Sequence, residues 1–143
     1  MICPAGSIIR IDNFVLRDGT SKNKFFIVIS NSDDNAITLL AMSTSNESGF
    51  YFDLNSIVVQ HGAIRDAIGK ILMYCIPKHK VIGVKNGFKF PKDTFFLAQY
   101  GFSELDCEKL FKHSISILDE ISKEELNNLV YTLYSSPYIK KNF

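Results

Sequence analysis

The chain has little of what would tie its fold to disulfides, metals or membranes. Its three cysteines, Cys3, Cys75 and Cys107, are odd in number and widely spaced, which fits neither a disulfide framework nor the paired spacing of a zinc site. Reduced thiols are expected, and no adjacent base marks any of them as a nucleophile. No apolar run approaches the roughly 20 residues that a membrane helix requires. The start, Met1-Ile2-Cys3-Pro4, lacks the basic and long apolar stretches of a signal peptide, so a cytoplasmic protein without membrane contact is the expectation. Three isolated histidines, His61, His79 and His113, have no cysteine or carboxylate at ligand spacing, and neither metal nor cofactor is expected. Asp18-Gly19 and the Gly83 to Gly87 segment do not have the spacing of a phosphate-binding loop.

What is present is the composition of an ordinary globular protein. With 143 residues, 46% hydrophobic and 22% charged, the chain suits a single domain spanning 1–143 with a full core. Net charge is only +1, but it is unevenly placed. Residues 1–100 carry 11 Lys/Arg against 8 Asp/Glu, whereas residues 101–143 carry 5 against 7. Lys70, Lys78, Lys80, Lys85, Lys89 and Lys92 fall in a stretch from 70 to 92 without one acidic residue. That bias suits a polyanion, although edge-strand lysines that block sheet-to-sheet pairing would look the same.

Strand signals dominate the chain. Ser7 to Asp12 and Lys24 to Ser30 are apolar, β-branched or aromatic, and Ala36 to Met42 follows the turn-forming Asn31 to Asn35, so the last two runs read as a hairpin. Their nearly continuous apolar character predicts strands covered on both faces or closed into a small barrel. Arg17 to Asn23 reads as a polar loop, and short strands are expected at Phe50 to Leu54 and Ser56 to Gln60. In Ala63 to Ile76 the spacing of Ile64, Ile68 and Leu72 favours a brief helical turn before a strand ended by Pro77. A strand is expected from Asp93 to Tyr100, a helix start at Ser103 to Asp106, and a last alternating strand at His113 to Leu118. Ser122-Lys123-Glu124-Glu125 forms a capping box before the Leu126, Leu129, Val130 and Leu133 stripe, which predicts a C-terminal helix stopped by Pro137.

In order, these pieces resemble the MazF/PemK family of toxin endoribonucleases. Gly6 to Asp12 looks like that family's opening strand, Lys24 to Ser30 is similar to its second strand, and Ala41-Met42-Ser43-Thr44-Ser45 falls where it closes a third strand with a hydroxyl-rich turn. The resemblance implies a mainly β (α+β) fold, an SH3-like small barrel with short helices and a C-terminal helix. It also implies a homodimer, an antitoxin partner and metal-free cleavage of single-stranded RNA. The chain departs from the family pattern where Lys24 and Phe25 replace an Arg-Pro pair, and a lysine cannot make the planar bidentate clamp of an arginine.

Metal-free RNA cleavage needs removal of the 2′ proton, a cation against the pentacoordinate phosphate, and protonation of the departing 5′ oxygen. Lys24 is assigned the charge, Ser43 or Thr44 the orientation of a phosphate oxygen, and Arg17 a hold on the backbone. RNA binding is assigned to Lys70, Lys78, His79, Lys80, Lys85, Lys89 and Lys92. His61 and His79 are the natural titrating groups, yet neither shows a partner in the sequence; His113 reads as structural. Tyr74, Phe88 and Phe90 interleave with the lysines, as a base-stacking platform would, or belong to the core. The alternative to the enzyme is a non-catalytic RNA- or protein-binding module on the same barrel.

Overall fold

A computed structural model describes residues 3–15, 18–31, 37–42, 59–106 and 114–139, with side chains for these except 31, 37–42 and 103–106. In chain order the elements are β1 (Ser7–Val15), β2 (Ser21–Asn31), β3 (Ile37–Met42), β4 (Gly62–Arg65), β5 (Ile71–Ile76), β6 (Thr94–Leu97), a single 3-10 turn (Ala98–Tyr100), β7 (Ser103–Asp106), β8 (Ser114–Glu120) and helix α1 (Lys123–Tyr134). Five strands form one sheet in the order β7-β3-β2-β1-β8, and three form a second in the order β4-β5-β6. Every described pairing of named strands is antiparallel. The described residues are therefore mainly β with a C-terminal helix. Among the described residues neither sheet closes on itself, so no barrel is formed there.

The β2–β3 hairpin forms as its β-branched runs require, with Phe26 opposite Met42 and Ile27 opposite Ala41. Both faces of β1 and β2 are covered along Ser7 to Ile11 and Lys24 to Ile29. Ile8, Ile27 and Ile29 point into a core shared with Tyr74, Ile76 and Phe96 of the second sheet and with Leu129 and Leu133 of α1. Ile9, Ile11, Phe26 and Val28 point the other way and pack with Cys3. A third cluster, Ile64, Met73, Cys75, Phe95 and Leu97, covers the far face of the second sheet.

Several expectations need correction. No helical turn follows Ala63; Gly62–Arg65 is a strand paired with β5, and Asp66 turns the chain by accepting the Ile68 and Lys70 N–H groups on Oδ1. Ile68 is 75% exposed, so the Ile64-Ile68-Leu72 spacing marks no buried helical face. Ser103–Asp106 begins no helix but is strand β7 along the edge of β3, because ladder pairing outweighs a local cap signal. The loop after Arg17 is shorter than expected, since β2 already starts at Ser21, and β1 runs on to Val15 through a bulge at Asn13, whose φ is 55°. The strand after Pro91 stops at Leu97. The expected strand at 50–54 and residues 56–58 lie outside the described residues; Val59 and Gln60 belong to no strand. The helix starts where its capping signal sets it, and the serine half of the box forms, with the Glu125 N–H donating to Ser122 Oγ at 3.0 Å.

Candidate functional site

The lysine-rich stretch is built as a loop from the end of β5 to β6, held from below by apolar side chains. Phe88 and Phe90 pack edge-on to each other and against Phe25 of β2, with ring centroids 5.1 to 5.9 Å apart. Ile82 and Phe90 are buried in the shared core. Asp119 at the end of β8 clasps the loop, accepting backbone N–H groups from Lys85 at 3.0 Å, Asn86 at 2.9 Å and Phe88 at 3.0 Å, besides that of Glu120 at 2.7 Å. Burial pushes the Asp119 carboxyl up, but these N–H bonds outweigh it and hold the group below the usual carboxylate value. Gly83 is required at its position because a Cβ there would lie 1.8 Å from Asp119 Oδ2 and 2.5 Å from the Phe88 nitrogen.

With the loop fixed, Lys78, His79, Lys80, Lys85, Lys89 and Lys92 are all exposed. The His79 N–H donates to the Phe90 carbonyl at 3.3 Å, which brings residues 78–80 alongside Lys89 and Lys92. Among the described residues, Lys85 is the one lysine of this set in an ion pair, 3.6 Å from Glu120. Lys70 stands apart from the set. It closes the β4–β5 turn at the opposite end of β5, so about 20 Å of strand separates it from Lys78. Tyr74 and Phe90, at 2% and 1% exposure, are core residues and offer no face to a base.

Lys24 lies on β2 opposite Ile11. Alternation along β2 sets it on the face of Phe26 and Val28, away from the face that meets the loop, Tyr74 and α1. It is 8% exposed, and burial, helped by the charge of Lys22, draws its amine down to about 8. Arg17, Ser43 and Thr44, assigned with it to catalysis, lie outside the described residues, as do His113 and Cys107.

A second constellation escaped the sequence reading. His61, just before β4, places Nε2 2.7 Å from Glu125 Oε1 on the first turn of α1. The Tyr74 hydroxyl donates to the other oxygen, Oε2, of the same carboxylate. Both Glu125 oxygens are thus engaged, and its side chain does not complete the capping box by reaching back to Ser122. Burial foremost, and then this carboxylate, raise the Tyr74 phenol far above its ordinary value, which keeps it a donor. The three line an open pocket of about 230 Å³ with Gly62, Ala63, Asn128, Tyr131 and Thr132. His61 and Glu125 are 64 residues apart, and no local pattern links them. Among the described residues no three His, Cys, Asp or Glu side chains gather as a metal site. No family model matches the chain, and neither does any curated protein or solved structure.

Proposed function

We propose that this chain binds single-stranded RNA and cleaves it without a metal ion, as a toxin-like endoribonuclease. The observation that carries the reading is the clasped loop at 77–92, which holds five lysines in solvent, of which, among the described residues, only Lys85 is paired with an acid. Bringing phosphates against such a surface releases counterions, so five contacts would give a slope of about −3.5 in log affinity against log salt. The order of strand motifs that resembles the MazF/PemK toxins supports RNA as the polyanion, together with a homodimer, an antitoxin partner and the finer SH3-like barrel.

The test is binding and cleavage of RNA oligonucleotides in EDTA across a salt series. Changing Lys78, Lys80 and Lys89 together to Ala should weaken binding and flatten the salt slope without altering the products, a 2′,3′-cyclic phosphate and a 5′ hydroxyl. If Lys24 supplies the chemistry with Arg17, Ser43 and Thr44, Lys24→Ala abolishes cutting and leaves most binding. The burial of Lys24 on the face away from the loop favours a second reading, a non-catalytic RNA-binding module. Protein that binds RNA and never cuts it establishes that module. Protein that ignores RNA removes both.

A further inference from the structure

The pocket of His61, Glu125 and Tyr74 has its histidine at the end of the β4–β5 ladder from which the lysine loop departs. Gly62 pairs with Cys75, and continuing that antiparallel register one residue sets His61 opposite Ile76, two residues from Lys78. His61 and Lys78 thus flank the same end of the β4–β5 ladder. We propose that this pocket is the proton-transfer site at which a phosphodiester of single-stranded RNA, held by the loop, is cut. This rests on the endoribonuclease reading and moves its chemistry from Lys24 to His61.

Three features of the pocket argue for it. When Glu125 is ionised its Oε1 accepts, and the neutral ring of His61 that donates to it from Nε2 keeps a lone pair on Nδ1. Tyr74 donates to the second carboxylate oxygen and fixes the carboxylate that orients the ring. His61 keeps a third of its side chain exposed, while Glu125 is only 11% exposed, the disposition of a reactive ring backed by a sheltered positioning residue. Among the described residues no cysteine, serine or threonine side chain is hydrogen-bonded to His61, so none of them is presented to this base as a nucleophile. A ribonucleotide brings one, its 2′ hydroxyl, beside the phosphate it attacks.

Nδ1 of His61 takes the 2′ proton as the O2′–P bond forms, and the P–O5′ bond breaks with its electron pair on the departing oxygen. Water protonates that oxygen, and the imidazolium returns its proton to solvent. The products are a 2′,3′-cyclic phosphate and a 5′ hydroxyl. His61 is the catalytic residue; Glu125 and Tyr74 are positioning residues.

The experiment measures single-turnover cleavage of an RNA oligonucleotide in EDTA by the full chain and by His61→Ala, His61→Gln, Glu125→Gln and Lys24→Ala. His61→Ala should cut at least about 100-fold more slowly, bind RNA within twofold of the parent, and recover rate when imidazole is added. Glu125→Gln should lower the rate with unchanged RNA affinity, and an oligonucleotide lacking the 2′ hydroxyl at the cut site should be inert. Should His61→Ala fail to fold, His61→Gln carries the same expectation of rate loss at constant affinity. Parent protein that cuts while both His61 variants cut as fast overturns the assignment and leaves the enzyme reading standing. So does a rate loss that imidazole does not restore. Parent protein that binds RNA and leaves it intact overturns both.

Discussion

Replacing Asp119 by Ala tests whether one carboxylate sets the shape of the lysine loop. The change deletes an acceptor for four backbone N–H groups, those of Lys85, Asn86, Phe88 and Glu120. Hydrogen bonds to a charged group contribute about 1.5–3 kcal/mol each when buried. Lys85 and Asn86 are exposed, and their N–H groups would find water, so the cost should come mainly from the half-buried Phe88 and Glu120, about 2–4 kcal/mol in all once their partial exposure is discounted. At roughly 3 °C per kcal/mol for a chain of this size, the melting midpoint should fall by about 6–12 °C. The folded-state pKa of Asp119 is depressed, so its contribution is complete above the unfolded value of about 3.9 and fades as pH drops through the lower folded value. The gap between parent and Asp119→Ala, read by circular dichroism melts, should therefore be constant from neutral pH to about 4 and narrow below. Amide exchange at 85, 86 and 88 should quicken at neutral pH. A variant melting within 1 °C of the parent, or unchanged exchange at those amides, would refute the clasp.

Three further outcomes follow from particular contacts. Gly83→Ala must displace the Asp119 carboxylate or the Phe88 backbone, so it should destabilise by about 1–3 kcal/mol in urea titrations, the usual cost of forcing atoms into a packed site. The amine of Lys24, lowered from 10.5 to about 8 by burial, makes the folded state release a proton that the unfolded state keeps, so this group should add stability as pH rises from about 8 to 10.5; Lys24→Met should lose that increment in denaturant titrations across this window. Cys3 and Cys75 are buried, and burial pushes the Cys75 thiol up to about 12, so native protein should leave both unlabelled by a thiol reagent that reacts fully after denaturation.

Local physics wrote the elements that could be read one at a time. The β-branched runs of β1, β2 and β3 and the Ser122 capping box each hold their signal within a dozen residues, and each appears as a strand or helix. The solvated lysines from 78 to 92 were legible because nothing in that run could bury them cheaply. Alternation in Lys24-Phe25-Phe26-Ile27-Val28 even carried the information that Lys24 shares a face with Phe26 and Val28, although its burial depended on what packs over that face. Failures came where distant partners decide. β7 exists because β3 offers it an edge, and the Asp66 turn replaced a helix because its carboxylate satisfies two N–H groups at once. The pocket was the least legible feature, since the sequence shows no partner for His61 and marks Glu125 only as half of a cap.

The double duty of Glu125 gives the helix start an unexpected kind of control. Its N–H closes the first turn of α1 on Ser122, while its carboxylate leaves the helix to hold His61 and Tyr74. Helix ends open at far smaller free energies than cores, so fraying of this turn dismantles the pocket while the rest of the molecule stays folded. Losing the Ser122 hydroxyl, a change of about 1 kcal/mol, would multiply the frayed population about fivefold. Ser122→Ala should therefore loosen the pocket at a lower temperature than the one at which the sheets melt, an outcome read by amide exchange at 125 and 126 against global circular dichroism melting.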